Sequence, residues 1–228
     1  MKMKFGAIVV DGRGKIGGHV ASKNRAGAYL RTKVTPVNAQ TSSQLTIRSR
    51  FTGFSQGWRA LTAAQRDAWN AAVSDFTKTD VFGDIQTPTG FNLFQRLNNN
   101  LANCGVAQID TPPLPGAVGI CTVTTVTVAA GAGTFSIALS NTVPANTNCK
   151  VFATAPVSAG KSYVKSLYRQ VAVLDAAEES PYDLSTEYEA KFGSVGLAGQ
   201  KIFVKIEAVN ITTGQCATPS QASGIVAA

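Results

Sequence analysis

Gly12-Arg13-Gly14-Lys15-Ile16-Gly17 satisfies the pattern G-x-G-x-x-G directly after the apolar run Ala-Ile-Val-Val. In a dinucleotide-binding unit such glycines let the backbone approach a pyrophosphate at a helix N-terminus, and an acid about twenty residues on takes a ribose hydroxyl. Here Asn24-Arg25-Ala26-Gly27 reads as a turn, which leaves no room for the helix, and no Asp or Glu occurs between Gly12 and Arg66. The expected structure is a glycine turn between two strands with Arg13 and Lys15 exposed, and no cofactor. Ser158-Ala159-Gly160-Lys161-Ser162 ends like a phosphate-binding loop, but Ala155 stands where the first glycine is needed and Pro156 follows it. No helix is expected there to complete an anion site, so it reads as a hairpin turn.

Nucleophilic and metal chemistry have little to draw on. His19 is the one histidine, and no pair of nucleophile and acid lies near it in sequence to form a triad. It is expected to be a hydrogen-bonded turn residue. Glu178-Glu179 and Glu187 with Glu189 are paired carboxylates of the kind solvated in loops. Cys104, Cys121, Cys149 and Cys216 are widely spaced and form no Cys/His cluster, so no metal site is expected, and they read as reduced, buried small apolar groups. Trp58 and Trp69 flank a helix join among apolar residues, a setting for core packing rather than base stacking. The chain is read as not an enzyme.

Charge is the stronger signal. Residues 1–50 carry ten basic side chains against the single acid Asp11, while the remainder carries 11 basic and 12 acidic ones; the whole chain is +8. Clustered Lys and Arg create a long-range field that attracts an acidic protein surface or nucleic acid. Lys15, Lys23, Arg25, Arg31 and Lys33 are the candidate partner-binding residues. Charged residues make up only 15% of the chain, below the usual quarter, which suits a protein that lives against neighbours. The apolar run Phe5 to Val10 is shorter than the roughly 7–15 residues of a secretory core. No run approaches the ~20 residues of a membrane helix, so a cytoplasmic origin and no membrane contact are expected.

The elements that position these residues fall into four segments, for a fold class of α+β with several domains. Residues 1–40 form a basic, glycine-rich β arm, with strands expected at KFGAIVVDG and GAYLRTKVT around the turn cluster GRGKIGG. Residues 41–108 are helical. Thr41 caps a first helix whose apolar face is Ile47, Phe51, Phe54, Trp58 and Leu61. Thr62 and Gln65 form a capping box for a second helix with Ala68, Trp69, Ala72, Val73 and Phe76, the two making a hairpin. A third helix runs from Phe91 to about Cys104 with Phe94, Leu97 and Leu101 buried. Residues 109–118 are a proline-rich linker holding Pro112, Pro113 and Pro115. Residues 119–228 are all-β, about seven strands expected in CTVTTVTV, GTFSIALS, CKVFATA, SYVKSLYRQVAVL, QKIFVKIEAVN and SQASGIVAA. EYEAKFG is open between a strand and a short helix. This spacing argues a β-sandwich.

Val204-Lys205-Ile206-Glu207-Ala208-Val209-Asn210, then Gly214 and Pro219-Ser220, resembles the last two strands of a fibronectin type III or immunoglobulin-like domain, although no tryptophan stands in the early strands. Gly14-Lys15-Ile16-Gly17-Gly18, Ala28-Tyr29-Leu30-Arg31, Pro36-Val37-Asn38, Thr41 to Gln44, Arg48, and Trp58-Arg59-Ala60-Leu61-Thr62 through Gln65-Arg66 to Trp69-Asn70 resemble small proteins of tailed bacteriophages, crAss-like phages and prophages among them. That resemblance implies a structural or assembly component of the virion: a tail, ring or collar, or capsid-associated protein. It would be made in the bacterial cytoplasm, bind other virion proteins and form a homo-oligomer, a ring among the arrangements. The alternative is a nucleic-acid-binding accessory protein using the basic front non-specifically.

Overall fold

A computed structural model describes residues 1–4, 6, 12–24, 27–175 and 180–228; it is mixed α and β, with four α-helices and four antiparallel sheets among these residues. Of the expected strand KFGAIVVDG, residues 5 and 7–11 lie outside the described residues, as do Arg25, Glu178 and Glu179.

The N-terminal sheet orders its strands β1-β4-β3-β2. These are β1 (Lys2–Met3), β2 (Gly14–Ile16), β3 (His19–Asn24) and β4 (Gly27–Thr32). The cluster GRGKIGG is therefore not all turn. Gly14, at φ +130°, opens strand β2, and the turn tightens to Gly17-Gly18, where Gly17 takes φ +57°. His19 stands in β3 rather than in the turn. Pairing on both edges of β3 overrides the weak strand propensity of HVASKN, a tertiary effect that local pattern does not carry.

Residues 33–41 are extended and exposed, and lead into α1 (Ser42–Ala60). Both expected caps are present and reciprocal. The Thr41 hydroxyl accepts from the Gln44 N–H while the Gln44 side chain accepts from the Thr41 N–H, both at 3.3 Å. Thr62 and Gln65 do the same for α2 (Ala63–Ala71) at 2.9 and 3.2 Å. A 3-10 helix (Ala72–Phe76) continues α2, and α3 (Gly90–Asn103) follows a two-stranded ribbon of β5 (Lys78–Thr79) and β6 (Ile85–Gln86).

α1 and α2 meet at the tight Leu61–Thr62 join, but each packs chiefly on α3. Leu61, Trp69, Phe76, Leu93, Phe94 and Leu97 form the helical core, with Phe54 and Trp58 against it. Trp58 meets Phe94 at 5.5 Å, and Trp69 meets the same ring edge-on at 5.4 Å. The expected apolar face of α1 is only half used. Arg50 reaches Asn103 and Trp58 reaches Phe91, so α1 runs antiparallel to α3 and overhangs its end by about two turns. Ile47, in the overhang, consequently stays exposed; Phe51, beside α3, and Ala68 on α2 are exposed as well.

No regular element crosses residues 106–122. The segment is nevertheless fastened: Trp69 Nε1 donates to the Asp110 carbonyl (2.9 Å), and Asn98 exchanges two hydrogen bonds with the Ile109 backbone (2.8 and 3.1 Å).

Beyond it, β7 (Val123–Ala129), β8 (Thr134–Leu139) and β11 (Tyr182–Asp183) form a sheet ordered β11-β8-β7. A second sheet is ordered β10-β9-β12-β13, from β9 (Thr147–Ala153), β10 (Arg169–Leu174), β12 (Lys201–Asn210) and β13 (Ser220–Ile225). One apolar core joins them. β8 alternates buried Phe135, Ile137 and Leu139 with half-buried residues, and β12 does so with Ile202, Val204 and Ile206. EYEAKFG resolves to a helix, α4 (Ser185–Phe192), whose Tyr188 stacks on Phe135 at 4.5 Å and donates its hydroxyl to the Thr154 carbonyl. β11 has no counterpart in the sequence reading, and only the second half of SYVKSLYRQVAVL is strand.

α3 lies on the outer side of the four-stranded sheet. Beside it Lys150, 3% exposed, pairs with Glu207 at 3.0 Å across the β9–β12 register. Removing one partner of a buried pair strands the other charge. Lys150→Ala is expected to destabilise the fold, by less than the ~3–5 kcal/mol of a fully buried pair because Glu207 keeps partial contact with water. Lys150→Met with Glu207→Met should recover most of the loss, as read from denaturant melts.

Limited proteolysis is expected to cut in 111–120 and to spare 106–110, where Trp69 and Asn98 hold the backbone. The two fragments should co-elute under native conditions, because Asn100 bonds to Gly214 and Gln170 to Asn103 across the cut. Primary cleavage at 106–110 would show that those contacts do not order the segment.

Candidate assembly surfaces

The G-x-G-x-x-G segment makes no anion cradle, since strand β2 occupies the place of the helix such a site needs. Ser158–Ser162 is a turn closed by Lys161 N–H on the Ser158 carbonyl (3.0 Å). Glu187 and Glu189 are both exposed and two residues apart on α4, so they point away from one another.

Three of the four cysteines are held as thiols, and the fourth, Cys121, is buried, its thiol lowered by the hydrogen bond with Cys149. Burial raises the Cys104 thiol and pushes Cys216 up to about 11. Cys149 is raised by its hydrogen bond with Cys121 and by burial. Among the described residues no group of His, Cys, Asp and Glu is arranged to hold a metal ion, and no helix is long and apolar enough to cross a membrane. Trp69 is fully buried, which removes it from any stacking role.

The basic candidates are placed by the N-terminal register. Lys15 lies opposite Val20, and Val20 opposite Arg31, so Lys15 and Arg31 share one face. Lys23 pairs with Ala28, one residue out of phase, and projects from the other face. Lys33 sits beside the Gly17-Gly18 turn, its N–H on the Gly18 carbonyl (2.8 Å). All four are exposed, but they are not one patch.

The latch that holds this sheet was missed by the sequence reading. Lys2 pairs with Asp80 at 3.0 Å and Lys4 with Asp84 at 2.7 Å, Lys4 also lying over the Phe82 ring. Asp80 accepts from the N–H groups of Phe82 and Asp84 as well, which folds the β5–β6 turn around it. An acid within a turn-rich stretch resembles any solvated turn residue, and its partner lies 78 residues away.

A second surface was also missed. Between α1 and α3 lies a cavity of about 430 Å³ lined by Phe51, Phe91, Gln95, Arg96 and Asn99, among others. Gln95 is 7% exposed; its amide nitrogen bonds Ser55, while Gln95 Oε1 and Asn99 Oδ1 are buried and accept nothing among the described residues. Such acceptors cost free energy until a donor reaches them. The exposed Phe51 was read as core from its spacing.

Lys2 first, then the Phe82 and Asp84 N–H groups, hold the Asp80 carboxyl below its ordinary value of 3.8, against the opposing effect of burial. A depressed carboxyl contributes attachment above the unfolded value and loses it as pH falls through the folded one. The latch should therefore persist at neutral pH and open only below about pH 4. Asp80→Asn is expected to raise trypsin cleavage after Arg31 and Lys33 several-fold at neutral pH, leaving the melting of the rest unchanged. Equal cleavage would show that the ion pairs do not hold the sheet. Comparison with protein-family models, curated proteins and solved structures gives no match to this chain.

Proposed function

We propose that this chain is a structural component of a tailed-phage virion that works through protein–protein assembly. The observation that carries this reading is the placement of the basic segment. The described residues of the N-terminal sheet contribute nothing to either core, and the sheet is strung on the exposed strap 33–41 and latched by two ion pairs. Its outer strand β2 is exposed throughout and, among the described residues, pairs on one edge only. An open edge and a cationic face are what a subunit uses to pair with a neighbour.

The residues that resemble tailed-phage proteins supply the virion setting. The C-terminal pairing supports a fibronectin type III or immunoglobulin-like sandwich: within residues 119–228, the first strand pairs with the second and the second with the fifth, while the fourth, third, sixth and seventh make the other sheet. Such a module serves as a rigid spacer in an assembly, and fold alone assigns no chemistry to it.

A mass-spectrometric inventory of particles from the phage or prophage that encodes the chain is expected to find it in stoichiometric amounts. Deleting residues 1–40 should leave both cores folded and abolish incorporation. Absence from particles, or normal incorporation of the deletion, overturns the proposal. Steeply salt-dependent DNA binding by a chain absent from particles would favour the nucleic-acid role instead.

A further inference from the structure

We propose that the α1–α3 groove receives the acidic α4 end of a second copy of this chain, so that copies join head to tail. The inference deepens the assembly role and rests on it.

The groove is built for a particular occupant. Its walls are apolar at Phe51, which is 48% exposed, and at Phe91, and Arg96 lines it. The two helices that form it carry charge of one sign: α1 has Arg48, Arg50 and Arg59 and no acid, and α3 has Arg96 and no acid. An occupant must bring an apolar knob and negative charge.

The opposite end of the chain offers these. Between Arg169 and Lys191 the sequence has Asp175, Glu178, Glu179, Asp183, Glu187 and Glu189 and no basic residue. Asp183, Glu187 and Glu189 are exposed on β11 and α4. The loop that follows α4 presents Leu197, 74% exposed. Leu197 seats against Phe51 and Phe91, and the acidic surface around β11 and α4 faces the arginines.

Geometry keeps the two surfaces of one chain apart. Gly214, against which α3 lies, follows the end of β12, whereas the Leu197 loop leads into its start. The ten residues of β12 span about 30 Å. The contact is therefore between copies, and because two different surfaces meet, it propagates to a ring or an open filament rather than a closed two-fold dimer.

Charge reversal tests this with the full-length chain in sedimentation velocity. Wild type is expected to form oligomers. Arg48→Glu with Phe51→Glu disables the groove, and Glu187→Lys with Glu189→Lys disables the acidic end. All four side chains are exposed, so folding should survive; if the groove variant loses its melting transition, Phe51→Ser replaces it. Each variant alone should be monomeric. Their equimolar mixture should give one-to-one dimers and nothing larger, since a single intact interface remains per pair. A monomeric wild type, variants that assemble like wild type, or a mixture that stays monomeric each overturns the proposal. Particles that contain a chain monomeric in solution would remove this contact and leave the virion role standing. Head-to-tail assembly by a chain absent from particles would do the reverse.

Discussion

The backbone of α3 occupies the space that a side chain at residue 214 would need. A Cβ there would stand 2.5 Å from the Leu97 carbonyl oxygen, and Gly214 also takes φ +70°. Only glycine meets both conditions. Because the loop after β12 comes so close, Asn100 can bond the Gly214 carbonyl at 2.8 Å, and α3 settles over the outer side of the sheet. The remaining helical elements follow. α1, α2 and the 3-10 helix each pack on α3, and Asn98 and Trp69 tie down the start of the proline-rich segment.

Electrostatics then divides the molecule by depth. At the α3–sheet junction the Lys150 ammonium is buried against a partly exposed Glu207, and the nearby Cys104 and Cys216 thiols stay protonated by burial. At the surface charges segregate by sign, cationic on the N-terminal sheet and α1 and anionic around α4. Lys2 and Lys4 hold their own sheet, so the cationic front facing a partner is smaller than its formal +9. On this distribution the proposed protein–protein role is preferred to general attraction to phosphate.

Local signals in the sequence were legible where local physics decides. Thr41 and Thr62, each followed three residues on by glutamine, marked two helix starts, and alternation in the last strands marked the β region. What failed to show was set by partners distant along the chain. Asp80 finds Lys2 across 78 residues. HVASKN becomes a strand because both its neighbours pair with it. The spacing of Ile47 and Phe51 matches a buried face, yet α3 ends short of Ile47 and leaves a cavity beside Phe51; a periodic pattern reports that a face wants a partner, not that the same chain supplies one. Lys150 alternates in phase with outward positions of β9, so its burial is invisible until α3 lies over it.

The strap 33–41 sets how the basic sheet behaves once its latch opens. Nine residues reach at most about 30 Å, so a released sheet remains near Asp80 and Asp84 at an effective concentration in roughly the millimolar range. A weakly held neighbour cannot outcompete that local site. In the proposed assembly the sheet would change partners only after another surface has been brought within the same radius, which would make the tether a timing device: subunits dock first, and the arm commits afterwards.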